Sequence, residues 1–436
     1  MGQGKTMTRQ LIEFSIPLIL SGLLQQMFNW ADAFIVGNIV GETALAAVGA
    51  TLYLTTIFVA AVTGFTTGVS ILSAQMFGEG RLEEEKRVLF TFLGVVTAAF
   101  AAAACIGIWA ARPALALLDT PADIFEMAWE YLRLVLLGVP FLAVYNVYAA
   151  VLRGIGDSRA PFWAVMVSVV VNVVMDLVLV AGFRMGVAGA ALATVASQMM
   201  MALFLVCYAG RAHPMLKFEG VKGLFDRDIL RAGSALAMPI TIQSLVNSAG
   251  GLVLQRILNS FGTATVAAIS TAYRVDSVIL LPVFNLGTGI STLAAQNTGA
   301  GEHRQAKRCL YVGCGLMAVV SVCLTLVVIA FGGPLIAMFG VTEEATAIGE
   351  QFFRCIAWFY IINGWAMAFR GYLEGVGDVT FSGMVGIVSL GVRILLSYAL
   401  VGIFDNMIIA YAEAFAWCFM LVLFVVRFMW RGRRNP

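Results

Sequence analysis

Residues 65–89 read FTTGVSILSAQMFGEGRLEEEKRVL, and residues 286–310 read LGTGISTLAAQNTGAGEHRQAKRCL. At a constant offset of 221 positions they share Thr67/Thr288, Gly68/Gly289, Ser70/Ser291, Gln75/Gln296, Gly78/Gly299, Gly80/Gly301, Lys86/Lys307 and Arg87/Arg308. The same offset pairs RGIGDSRAP at Arg153 with EGVGDVTFS at Glu374, and GETALAAVGA at Gly41 with GTATVAAIST at Gly262. A repeat this long in a hydrophobic chain fixes the architecture before any local reading: two related halves, as in transporters.

Composition supplies the solvent. Hydrophobic residues make up 61% of the 436-residue chain and charged residues 12%, against about 25% charged in a soluble domain. The chain cannot cover itself with polar surface, so it faces lipid. A net charge of +2 gives no footing for nucleic acid. The seven cysteines lie in or beside apolar runs without a CxxC pair, so no disulfide or metal framework is expected. His213 and His303 both fall in polar loops.

Apolar runs long enough to cross a bilayer are read near 14–37, 47–76, 88–111, 129–153, 161–183, 187–210, 231–257, 266–296, 308–331, 350–373, 380–402 and 407–428, the second and eighth broken by glycine. The reading is an all-α integral membrane protein of twelve transmembrane helices in two six-helix repeats. The first run is too long for a signal-peptide core and is read as a retained span. Of 27 lysines and arginines, 20 fall on the side that carries both termini, and only Arg112 and Arg184 fall in the opposite loops. The positive-inside rule then puts both termini in the cytoplasm. Six spans per repeat make the repeats parallel. The expected division is an N-terminal lobe at 1–210, a charged cytoplasmic linker at 211–230 and a C-terminal lobe at 231–436.

An acid within the bilayer marks function by default. Asp32 lies late in the first span and Asp176 late in the fifth; both spans run outward, so the two carboxyls share a depth. Asn172 sits one helical turn before Asp176, on its face, and Thr194 comes early in the sixth span. This is a polar cluster in one lobe. The repeat carries Ser397 in place of Asp176, Arg393 in place of Asn172, and Leu254 or its neighbours in place of Asp32. A purely structural helix glue would more naturally be shared by both halves. The second half has its own charges, Arg274, Asp276, Arg393 and Glu413, with a buried ion pair from Arg393 to Asp276 or Glu413 as one reading and a substrate or gating role as the other. Gln243, Asn247 and Asn363 are candidate cavity-lining groups. Pro17 and Pro239 are candidate hinges, with Pro140 and Pro282 as further bend points. Met27, Phe28 and Trp30, beside Asp32, suit an adaptable pocket.

Pro17 with QQMFNWADAFIVGNIVGETALAAVG, the AQMFGEG and AQNTGAG pair, and LRGIGDSRAP resemble the multidrug and toxic compound extrusion (MATE) family, in its bacterial DinF-like or MepA-like branches. The resemblance covers nearly the whole chain. It implies a V-shaped pair of lobes, alternating access, and export of small organic cations and amphiphilic drugs driven by inward H⁺ or Na⁺. It implies a cation or proton site at Asp32, Asp176 and Asn172, with Na⁺ held there in some members, and nearby roles for Thr194, Tyr131 and Asn146. Branches with a second Na⁺ site carry acids on spans seven and ten. This chain has none on span seven and has Asn363 near the span-ten position.

The expected function is thus an H⁺- or Na⁺-coupled antiporter of organic cations, serving multidrug efflux and antibiotic resistance. It is expected as a monomer in the cytoplasmic (inner) membrane of a bacterium or archaeon. It would be neither an enzyme nor a user of a bound cofactor: no nucleophile–base set or phosphate loop is visible, and GKT at residues 4–6 lacks the glycine spacing of an ATPase. The alternative is a lipid-linked oligosaccharide flippase of the same superfamily. A major-facilitator carrier is disfavoured because FGEGRLEEEKR stands where its basic loop motif belongs.

Overall fold

The structure, a computed structural model, describes residues 6–217 and 225–434. The middle of the expected linker, residues 218–224, and most of the GKT segment lie outside the described residues. Lipid offers the backbone no hydrogen bonds, so apolar runs must satisfy their own as helices. The described residues accordingly form helices without strands. In the first half these are α1 (Met7–Ile35), α2 (Glu42–Gly78), α3 (Leu82–Leu117), α4 (Ala122–Leu136), α5 (Val139–Gly154), α6 (Arg159–Asp176) and α7 (Gly186–Ala212). In the second they are α8 (Arg227–Asn259), α9 (Thr263–Ile279), α10 (Leu281–Gly299), α11 (His303–Ala337), α12 (Glu343–Ile356), α13 (Tyr360–Gly375), α14 (Val379–Ala399), α15 (Val401–Phe404) and α16 (Ile408–Arg434).

Ten of these segments are long and apolar enough to cross a membrane singly. Two further crossings are the bent pairs α4–α5 and α9–α10, each bent by 41°. Pro140 and Pro282 stand at the start of the second helix of each pair. There the missing N–H removes a bond from the helical ladder. The glycines of the second run do not break it: α2 is one helix of 37 residues. Its Gly68 permits a close approach instead, since a Cβ there would lie 2.3 Å from the Ala237 backbone.

The repeat extends to the turns. Backbone φ is positive at Gly41 and Gly262, Gly80 and Gly301, Asp119 and Gly340, Gly156 and Gly377, and Arg184 and Asp405, every pair separated by 221 positions. Chain reversals that need the left-handed region have therefore been kept in both halves while the side chains diverged.

Two compact units result. The first lobe is Leu20–Thr241; the second is Ile242–Pro436 together with the chain's start through Ile19. The change of unit thus falls inside α1 and α8, two residues beyond Pro17 and Pro239, rather than at residues 210 and 231. Each start packs within its own unit. Gly68 of α2 meets Ala237 of α8, and Gly289 of α10 would place a Cβ 2.4 Å from Ser15 Oγ of α1. The first lobe's cores gather Leu89, Phe92, Leu152 and Leu205, and the second gathers Phe352, Phe353, Tyr360 and Phe424, all fully buried.

Candidate functional site

α1 delivers Asp32 and α6 delivers Asp176 to the interior of the first lobe. Asp32 is 8% exposed, and Asp176 and Asn172 are 0% exposed. The two carboxyls come within hydrogen-bonding reach of each other. Each is an acceptor facing an acceptor. Oδ1 of Asp32, both oxygens of Asp176 and both polar atoms of Asn172 have no hydrogen-bond partner among the described residues. α4 adds Tyr131, buried, close to both carboxyls and within reach of the Thr194 hydroxyl. Thr194 on α7 also donates to the Ala190 carbonyl at 3.1 Å. The fold thus assembles Asp32, Asn172, Asp176, Thr194 and Tyr131 in one lobe, with no arginine or lysine among them. Two buried carboxyls without a cation cannot both stay charged.

The other candidates fall differently. Asn146 spends its side-chain N–H on the Leu142 carbonyl one turn back, at 2.8 Å. Met27 and Trp30 are exposed and Phe28 is half-buried on the α1 segment that turns Asp32 inward. Asn247 is exposed; Gln243 is buried and accepts from Arg370 Nη2 at 3.0 Å. Asn363 is buried with its Nδ2 unpartnered.

At the matching place in the second lobe, an arginine pairs with one of two acids. Arg393, the counterpart of Asn172, donates to Glu413 Oε2 at 2.9 Å and to the Tyr273 hydroxyl at 2.7 Å. Tyr360 donates to Asp276 Oδ1. The ion pair expected for Arg393 is with Glu413, while Asp276 is held by a tyrosine. Arg274 is exposed and joins neither group. The aromatic hydroxyls of Tyr273 and Tyr360 gave no sequence signal, because nothing in a helical run distinguishes a tyrosine that packs from one that donates.

Both lobes anchor the GxGD turn that opens a helix, with different partners. Asp157 accepts from Tyr208 at 3.1 Å, lies 3.0 Å from His213 Nε2, and accepts from the backbone N–H of Ala160. Burial would raise its carboxyl, but the bonds from His213, Ala160 and Tyr208 outweigh it and hold it below the usual value. Asp378 accepts from Arg427 at 2.7 and 3.1 Å and pairs with Arg431 at 3.1 Å. There too burial is outweighed by the arginine bonds, and the carboxyl is held low.

A membrane-embedded bundle of two related halves, with an acid pair buried inside one of them, defines a class: a membrane transporter of the two-repeat type. The MatE family model matches residues 17–178 and 239–399, which is most of the chain, and the chain belongs to this family. A model of the lipid II flippase MurJ also matches, over residues 120–262. The chain is 28% identical over 448 residues to the probable multidrug resistance protein YoeA of Bacillus subtilis, covering 98% of this chain and 95% of that one. It is 28% identical over 345 residues to an FAD transporter of Shewanella oneidensis, covering 77% and 75%. In fold it is similar to the crystal structure of a point mutant of the Vibrio cholerae MATE transporter VcmN, with a TM-score of 0.91 at 19% identity over 99% of this chain and 98% of that one.

Proposed function

We propose that this protein is a cation-coupled antiporter that exports organic cations and amphiphilic drugs by alternating access. The observation that carries the reading is the Asp32–Asp176 pair: two buried carboxyls in mutual reach, with unpartnered oxygens and no basic residue paired with them among the described residues. An entering H⁺ removes one charge. An entering Na⁺ would draw on Asp32, Asp176 and Asn172, with the Thr194 hydroxyl beside them. Either cation favours one arrangement of the transporter over the other and so biases a two-state cycle. An organic cation competes for the same negative charge, which makes the exchange obligatory without covalent chemistry or a cofactor. Tyr131 and Asn146 line the approach, and Met27, Phe28 and Trp30 supply deformable apolar surface. Pro17 and Pro239, placed where α1 and α8 change unit, serve as hinges. The protein works as a monomer in a bacterial or archaeal cytoplasmic membrane with both termini inside.

The partial match to a lipid II flippase supports a second reading, transport of lipid-linked oligosaccharide. It is the weaker one, because Arg393 is engaged by Glu413 and so is not free to hold a phosphate. Reconstitution into liposomes under a separately imposed pH or Na⁺ gradient tests the two. Ethidium export that follows one gradient supports the antiporter. Export that ignores both gradients, or movement of lipid-linked substrate alone, rejects it.

A further inference from the structure

A third buried acid lies at the opposite end of the first lobe. Of Glu83, Glu84 and Glu85 in the first turn of α3, the first is exposed, the second half-buried and Glu85 is 0% exposed. Ser73 Oγ, near the end of α2, is 2.7 Å from Glu85 Oε2 and 3.3 Å from the Val151 carbonyl near the end of α5. Glu85 Oε1 has no partner. No lysine, arginine or histidine pairs with Glu85 among the described residues. Arg153, the cation of α5 nearest in sequence to Val151, has Tyr145 as its charge neighbour.

Hydrogen counting decides the protonation. Ser73 has one hydroxyl hydrogen and faces two acceptors. If Glu85 is ionised, that single hydrogen serves a fully buried charge and the Val151 contact has none. If Glu85 is protonated, its O–H donates to Ser73 Oγ and Ser73 donates to Val151, which closes the chain and leaves no net buried charge. A buried charge with one neutral donor costs far more than a neutral carboxyl with one open oxygen. The repeat lacks the device: Ser73 becomes Ala294 and Glu85 becomes Ala306, both buried. α6 runs 18 residues away from this end to reach Asp176, about 27 Å of helix, so the site is separate from the acid pair.

We propose that Glu85, Ser73 and the Val151 carbonyl form a second proton-binding site of the first lobe, at the end that the lysine and arginine bias puts in the cytoplasm, and that its proton exchanges during transport. The exchange half rests on the antiporter reading; the proton itself does not. Infrared spectra of the full chain in lipid nanodiscs test the proton. A protonated-carboxyl band present at neutral pH should vanish in Glu85→Gln and persist in an Asp32→Asn, Asp176→Asn background. Absence of such a band overturns the site. Initial export rate against internal pH tests the exchange. Glu85→Gln should export several-fold more slowly with a flattened profile, and Ser73→Ala, which keeps the acid, should shift the profile and move the band. An unchanged profile in both variants overturns the exchange even where the band is found. Normal transport in Asp32→Asn with the Glu85 band intact would instead contradict the coupling role of the acid pair and leave the Glu85 site standing.

Discussion

At equivalent positions the two lobes solve burial in opposite ways. The first lobe puts Asn172 and Asp176 on α6 beside Asp32, with polar atoms unpartnered and no arginine or lysine paired with them among the described residues. The second puts Arg393 and Ser397 on α14 and closes the charge with Glu413 and Tyr273. The same backbone, turn for turn, thus carries one acid cluster with unpartnered polar atoms and one in which an arginine pairs with an acid. A buried group left unsatisfied is costly and persists where function uses it. A satisfied ion pair is consistent with a structural part. The asymmetry, more than either cluster alone, is what supports the proposal that coupling belongs to the first lobe.

The largest effect should come from the unsatisfied side. Asp32→Asn and Asp176→Asn each keep shape and remove charge, so each should lower gradient-driven ethidium efflux by at least about tenfold per folded protein. The double variant should be little worse than either, because groups acting as a unit are non-additive. Additive partial losses would break the idea of a single paired site.

The ion-paired side should respond in stability. Arg393→Leu strands Glu413 and should cost about 3–5 kcal/mol of stability, read by thermal unfolding in detergent, with substrate affinity changed far less. A stable Arg393→Leu protein with a large affinity change would move the substrate site to the second lobe and raise the flippase reading.

The scaffold should treat the lobes alike. A Cβ at Gly154 would lie 2.2 Å from Ser73 Oγ, and one at Gly375 would lie 2.5 Å from the Ser291 carbonyl. Gly154→Ala and Gly375→Ala should each destabilise by about 1–3 kcal/mol through overpacking. A tolerated alanine in one lobe only would show that the repeat is less equivalent than its turns indicate.

The smallest difference is at the GxGD turns. Asp157 and Asp378 both have lowered carboxyl values, against an ordinary 3.8. Their contribution is therefore present above about pH 4 and lost as pH falls through the lowered values. Asn at either position should remove about 1–3 kcal/mol at neutral pH and flatten the acid limb of a stability titration. A loss that begins well above pH 4 would contradict the sign.

The repeat, the helices and the acid pair were legible because each leaves a signal along the chain: a constant offset, runs of spanning length, and a charge where lipid forbids one. Pro140 and Pro282 marked the bends for the same reason. What stayed hidden depends on partners distant in sequence. Glu413 rather than Asp276 pairs with Arg393 because helix rotation decides it. Glu85 is one of three adjacent acids, and nothing along the chain separates it from Glu83 and Glu84; only its burial against Ser73 does. The change of unit within α1 and α8 is a packing outcome, which hydropathy does not carry.

In the proposed cycle a cation bound by Asp32 and Asp176 is displaced by substrate. The direct measurement is ion release from the purified protein when ethidium binds, followed by a pH indicator in weak buffer and by a Na⁺ electrode. The wild type and Arg393→Leu should release H⁺ or Na⁺ on binding, and Asp32→Asn and Asp176→Asn should release none. Release that survives in both aspartate variants and disappears in Arg393→Leu would contradict the account and place coupling in the second lobe.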